Sequence, residues 1–218
     1  MIKIIGFCGS RVKKGNMEAL LAEALSQAGN HSDVETELIT LAGKKIAPCN
    51  HCNWCVVNQT EDQPCAQQDD MEDIYPKLLL ADGIIVASPA HFGRLSGATA
   101  DLIDRTRAFV HGNLYHMSLK NKVGGAIAMG FFRGGGVETT LSTINVFFHS
   151  HRMVMANGMY QLGAAAFSTR EGKGKFEPET RHIVLEDEFG VAAARALVDR
   201  TIELAQIIKA GLAALASV

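Results

Sequence analysis

The sequence contains no run of about 18 apolar residues, the length a membrane-crossing helix needs, so no membrane partner is expected. It has no excess of either charge. Its 21 Lys and Arg stand against 23 Asp and Glu, a formal net charge of -2, and nucleic acid is not an expected partner. Internal repeats and low-complexity linkers are missing. The N-terminal stretch MIKIIGFCGSRVKKGN lacks a leading charged segment, and two lysines stand where a signal cleavage site would be. A cytoplasmic protein is therefore expected. Cysteine is sparse, five in 218 residues, and in that compartment a disulfide framework is not expected. No Ser-His-Asp order or paired carboxylates stand out, so there is no case for a hydrolase and no catalytic acid or base is assigned.

What is present is an ordinary globular composition, 47% hydrophobic, in a chain long enough to build one core over residues 1–218 without covalent staples. Apolar strand-like runs alternate with helix-periodic segments. Strands are expected at residues 3–7, 34–41, 83–88, 123–130 and 152–156. Helices are expected at 16–28, 69–80, 96–109, 138–150 and 187–215. Asn16 is the expected cap of the first helix, and Pro89 the expected stop of the third strand. Continuous apolar strands separated by helices predict an α/β fold with a parallel sheet covered on both faces. With five strands this is the flavodoxin-like, doubly wound architecture, whose ligands bind at the carboxyl ends of the strands. Two segments break the alternation and are expected to be excursions: a cysteine-rich loop at 43–68 and a glycine-rich, charged stretch at 167–182.

The loop after the first strand, GSRVKKGNME, joins small residues to a helix start. Backbone N–H groups, Ser10, Asn16 and the basic Arg11, Lys13 and Lys14 suit a phosphomonoester such as that of FMN. It is neither a G-x-G-x-x-G nor a P-loop pattern. An ordinary turn with solvated lysines is the alternative. Cys8 beside it reads as a small buried residue.

Cys49-x2-Cys52-x2-Cys55, followed by Cys65, places four of the five cysteines within seventeen residues. A C-x2-C-x2-C run supplies three ligands of a 4Fe-4S cluster in bacterial ferredoxins. Zinc sites more often pair two separated C-x2-C units. A metal centre is expected, with an iron-sulfur cluster ahead of zinc. Pro48 and Pro64 stiffen this loop, Trp54 is expected to pack it to the body, and His51 reads as an exposed polar residue.

After the third strand, Pro89, Ala90, His91, Phe92 and Gly93 offer an open backbone and two flat rings. After the fourth, Gly130, Arg133 and Gly134 offer glycines and a fixed charge. Ser96 is placed to cap a helix, and Glu138 to favour the start of another.

Taken together, GS…GNxEALL at 9–21, PCxxCxxC…C…DDM at 48–71, SPxxFGxxSG…LIDR at 88–105 and GGGxETTL at 134–141 resemble the NADPH-dependent FMN reductase-like superfamily, and within it the iron-sulfur flavoproteins. The resemblance spans nearly the whole chain. It implies a flavodoxin-like fold, bound FMN, a 4Fe-4S cluster on Cys49, Cys52, Cys55 and Cys65, and a homodimer or homotetramer. It implies that Ser10, Lys13, Asn16 and Met17 line the FMN phosphate with Arg11 adjacent. Pro89 to Gly93 and Gly130 to Gly134 would approach the ribityl chain and flavin ring. The chain departs from the family pattern with Met17 for Thr, His91 for Tyr, Val12 for Arg, Val137 for Gln, and a longer gap between Cys55 and Cys65. The implied activity is an oxidoreductase passing electrons between cluster and FMN, from a ferredoxin-like donor or NAD(P)H. The alternative is an NAD(P)H-dependent FMN or quinone reductase without a cluster.

Overall fold

Five strand positions lie side by side in a sheet whose strands, the short β4 excepted, run parallel. The computed structural model describes residues 1–159 and 162–217. In chain order the elements are β1 (Ile2–Cys8), α1 (Asn16–Leu25), β2 (Val34–Thr40), α2 (Trp54–Val57), α3 (Tyr75–Leu80), β3 (Gly83–His91), β4 (Arg94–Leu95), α4 (Gly97–Arg105), α5 (Arg107–His111), β5 (Val123–Gly130), α6 (Val137–Ser150), β6 (Val154–Met155), β7 (Ala164–Phe167) and α7 (Glu188–Ala216). The order across the sheet is β2-β1-β3-β5-β6. The fifth position is shared: β6 pairs with Val123 and Gly124, and β7 with Ile127 to Gly130. This is the flavodoxin-like doubly wound fold, with its switch point between β1 and β3.

The apolar runs form strands because both faces of each are buried. Ile2, Ile4 and Cys8 of β1 pack toward α1 and α7, while Ile5 and Phe7 pack toward α4 and α6. β3 and β5 alternate in the same way. The adjacent glycines of β5, costly in a free strand, have a packing reason. A Cβ on Gly124 would come 2.5 Å from the Phe148 ring of α6, and one on Gly125 would come 3.1 Å from Thr201 of α7. Their bareness lets helices close on both faces. Among the described residues no helix is long and apolar enough to cross a membrane.

Several expected boundaries are corrected. The fifth strand covers only Val154–Met155 of the expected stretch, and its larger part, Ala164–Phe167, lies where no strand was expected. Pro89 does not stop β3. It pairs with Met129 inside a strand that runs on to His91. The helix expected from residue 69 begins at Tyr75, after a run of turns. Gly15, not Asn16, occupies the cap position of α1. Ser96 does cap α4, its Oγ accepting from the Thr99 N–H at 3.2 Å.

Candidate functional site

The carboxyl ends of β1 and β3 are locked together by buried hydroxyls. The Ser96 Oγ donates to the Gly9 carbonyl at 2.6 Å, and the Ser96 N–H donates to the Ser88 Oγ at 3.0 Å. Thr99 Oγ1 donates to the same Ser88 oxygen at 3.1 Å. From this anchor the loop at 9–15 rises into solvent. Ser10 is buried, and its Oγ accepts from the Val12 N–H at 3.1 Å. Arg11 pairs with Asp101 at 3.6 Å. Lys13 lies against Gly43 of the loop after β2. Glu18 reaches back to the Lys14 N–H at 2.9 Å, satisfying one donor ahead of the helix. The Ala19 N–H bonds to the Gly15 carbonyl at 3.0 Å. The donors before it belong to the open first turn of α1. Asn16 Oδ1 accepts from the Val184 N–H at 3.0 Å, tying α1 to the turn before α7. The Met17 side chain is fully buried in the core, so this residue offers the loop only its backbone.

Beside that loop, β3 and β4 form a hairpin in which Ala90 faces Leu95 and His91 faces Arg94. Its two turn residues, Phe92 and Gly93, both have positive φ (51° and 77°), the combination of the hairpin turn that matches strand twist. Gly93 meets the loop after β5 backbone to backbone: a Cβ on Gly136 would lie 2.3 Å from the Gly93 Cα. Between the two loops lies a cavity of about 760 Å³ that brings together the sequence-selected Ala90, His91, Phe92, Gly93 and Gly134, with Phe131 and Phe132. Pro89 and Gly130 remain within their strands. Arg133 lies apart from this cavity. Its Nε donates to the Glu171 carbonyl at 2.8 Å, and it lines a second cavity of about 640 Å³ with Phe167, Thr169 and Asp187. Stretch 167–182 is fastened to the body through this arginine and through Thr169, whose buried side chain donates to the Phe131 carbonyl at 2.6 Å.

The four clustered cysteines are free thiols, and all four line one small cavity with Asn53, Gln67, Arg105 and Arg107. His51 and Asn53 hold positive φ (55° and 62°), bending the chain between Cys49 and Cys55. Cys55 is buried on the single turn of α2, and Cys52 is exposed. Burial pushes the Cys55 thiol up, opposed by the Arg107 charge, and the other three cysteines push it further. Among the described residues no group of three or more His, Cys, Asp or Glu side chains is drawn together as a site for a metal ion. Cys8 lies elsewhere, fully buried at the end of β1. Burial lifts its pKa to about 11, so it is an inert core thiol.

Three residues that hold the cysteine loop were not selected as site residues from the sequence. Arg105, its side chain wholly buried, donates to the Ala47 carbonyl (3.0 Å), the Gln67 carbonyl (3.2 Å), the Cys65 Sγ (3.6 Å) and the Asp69 carboxylate. Burial would raise the Asp69 pKa, but the Arg105 bond and the N–H groups of Ala47 and Met71 outweigh it and hold the carboxyl below its ordinary range. Arg107 donates to the Cys55 Sγ at 3.5 Å and to Asn53 Oδ1 at 2.7 Å. Gln59 is buried in a loop of polar residues. Its amide donates to the Pro64 and Ala108 carbonyls, and its oxygen accepts from the Leu114 and Tyr115 N–H groups. Arg105 ends the LIDR segment, a motif that marks it without giving its role.

Comparison with known proteins decides the family. The model described as NADPH-dependent FMN reductase matches residues 2–166. The chain belongs to the NADPH-dependent FMN reductase family. An iron-sulfur flavoprotein of Methanocaldococcus jannaschii is 36% identical over 95% of this chain and 100% of its own length. Another, from Archaeoglobus fulgidus, is 33% identical over 92% and 96%. Within the FMN reductase family the chain thus groups with the iron-sulfur flavoproteins and is an oxidoreductase. The fold has solved counterparts. The crystal structure of RosB with a bound 8-demethyl-8-formylriboflavin-5'-phosphate intermediate aligns at a TM-score of 0.75, with 15% identity, over 96% of this chain and 81% of that one.

Proposed function

We propose that this member of the FMN reductase family passes electrons between FMN and a 4Fe-4S cluster, drawing them from a ferredoxin-like protein or NAD(P)H. The observation that carries the reading is that Cys49, Cys52, Cys55 and Cys65 line one small cavity faced by two guanidinium groups. Four thiolates of one loop fit the ligand set of a cluster, and cationic N–H donors fit its negative charge.

When bound, FMN supplies both one- and two-electron chemistry and the cluster supplies one-electron transfer, so the two together can pass electrons between carriers of either kind. The chain's own residues bind and orient. Ser10, Arg11, Lys13, Asn16 and the backbone of Met17 would hold the phosphate at the start of α1, where the helix dipole and the open N–H groups favour an anion. Pro89, Ala90, His91, Phe92, Gly93, Gly130 and Gly134 would bound the ribityl chain and ring, with Arg133 bracing the outer loop. The exposed rings of Phe92, Phe131 and Phe132 give that cavity apolar walls for a flat heterocycle. No side chain is required as an acid or base. A homodimer or homotetramer fits the reading, since the cysteine loop and the flavin cavity need not meet within one chain.

The test is the content of iron, acid-labile sulfide, zinc and FMN after anaerobic purification. About four iron and four sulfide per flavin are expected, and Cys55→Ala should lose the iron while keeping FMN. Flavin with zinc, or with no metal and rapid reduction by NADPH, would instead make this an NAD(P)H-dependent FMN or quinone reductase with a structural cysteine loop.

A further inference from the structure

We propose that Arg105 and Arg107 set the reduction potential of the cysteine-bound centre by donating N–H bonds to its thiolates. The inference rests on the cluster reading above and adds to it two residues that are not ligands. Arg105 lies 3.6 Å from the Cys65 Sγ, and Arg107 lies 3.5 Å from the Cys55 Sγ. Residues two apart on a continuous helix point away from each other. Here α4 ends at Arg105 and α5 begins at Arg107, and at this joint both side chains line the same cavity.

The two arginines differ in how much of their charge reaches the sulfurs. Arg105 is fully buried and shares its charge with the Asp69 carboxylate. Arg107 is half-buried, and its second bond goes to the neutral Asn53 Oδ1 at 2.7 Å. Reducing a four-thiolate cluster adds one electron to a group already negative. A fixed cation beside the thiolates stabilises the reduced form more than the oxidised form. Hydrogen bonds to sulfur act in the same direction. Both effects raise the potential, and Arg107, with less of its charge offset by a carboxylate, contributes the larger electrostatic part. Arg105 also fastens both sides of the loop, so its removal mixes tuning with loss of structure. Arg107 is the cleaner probe.

The experiment compares anaerobically purified wild type, Arg107→Gln and Arg107→Lys by an EPR-monitored redox titration, with iron and sulfide measured on the same samples. Arg200→Gln, on the far helix α7 where Arg200 pairs with Glu203 at 2.7 Å, is the control. Arg107→Gln is expected to retain its iron and to shift the midpoint to more negative potential. Arg107→Lys keeps the charge but loses the planar fork, so it should shift less. Arg200→Gln should not shift. Full iron content with an unmoved midpoint in Arg107→Gln overturns the proposal and leaves the two-centre reading standing. Loss of iron in both Arg107 variants overturns it in favour of a purely structural role. A wild type that neither contains nor takes up iron overturns the two-centre reading, and this inference with it.

Discussion

Gln59 shows how much one unremarkable residue can hold. In the sequence it sits among Asn58, Thr60 and Glu61, a polar stretch that reads as a solvated loop. In the structure its amide closes four hydrogen bonds, at 2.8, 2.9, 3.1 and 3.1 Å, that join the cysteine loop to α5 and the segment after it. Gln59→Leu keeps the size and leaves two carbonyls and two N–H groups without this partner. Unpaired buried groups cost roughly 1–3 kcal/mol each, with partial relief from water, so a loss of about 3 kcal/mol in urea-measured stability is expected. A change below about 0.5 kcal/mol would mean the site is already wet. His151 gives a second, pH-dependent effect. Its Nε2 bonds to Thr106 Oγ1 at 2.9 Å, that hydroxyl donates to the Ile103 carbonyl, and the buried Nδ1 has no hydrogen-bond partner. Burial pulls its pKa from 6.5 down to about 4. Between those values the unfolded chain takes up the proton and the folded chain does not, so stability falls as pH drops from about 6.5 toward 4. The full effect is about 3 kcal/mol. Urea midpoints at pH 7 and pH 4.5 should separate clearly in the wild type and less in His151→Leu. Asp69 is shifted in the same direction, downward, but acts over a lower pH range. Its depressed pKa gives stability that is present above its unfolded value and is lost only as pH falls below about 4, so it does not mask the histidine.

The cysteine loop behaves as an element although little of it is helix or strand. Its two stalks are bonded directly: the Ala47 N–H donates to Asp69 Oδ2 at 3.0 Å, the Asp70 N–H donates to the Lys45 carbonyl at 3.1 Å, and Arg105 bridges both sides. These bonds involve no metal. Chelating the iron of the proposed cluster is therefore expected to leave the fold intact and to move the Tm by about 5 °C or less. Arg105→Met should move it by about 10 °C, because it removes the buried cation that pairs with the partly buried Asp69 and leaves the Ala47 and Gln67 carbonyls without its N–H groups, a loss of roughly 3–5 kcal/mol. The reverse ranking would show that metal, not protein, organises the loop. The same loop marks where sequence reading stops. Four cysteines in seventeen residues stood out in the sequence as a candidate centre, but the arginines that face them come from a helix junction about 40 residues on, and spacing does not announce such a meeting. The fifth strand was misread for a related reason. β6 has two residues and β7 four, each too short to show a period, and β7 consists of three alanines and Phe167. Only pairing with β5 makes strands of them.

Across the whole molecule, legibility follows burial. β1, β3 and β5 are covered on both faces and declared themselves as apolar runs, and from them followed the parallel sheet and the loops at its carboxyl ends where a ligand is expected. The meeting of those loops did not follow, because it depends on backbone approach in three dimensions. Gly136 is the place to test it. Its φ is +89°, a conformation that favours glycine, and a Cβ there would come 2.3 Å from the Gly93 Cα. Gly136→Ala must push the loop after β5 away from the β3–β4 hairpin, and the cavity between them is the proposed seat of the flavin ring. Strained backbone and forced contacts of this kind cost about 1–3 kcal/mol. FMN affinity, read by quenching of flavin fluorescence on binding, is expected to fall by roughly tenfold or more, since tenfold corresponds to about 1.4 kcal/mol. Iron content should be unchanged, because the cysteine cavity is built from α2, α4, α5 and the loop at 43–68 and shares no lining residue with this one. Weakened FMN binding with full iron therefore locates the flavin at the junction of the two loops. Unchanged FMN affinity would move the ring elsewhere, and the second cavity beside Arg133 would be the next place to look.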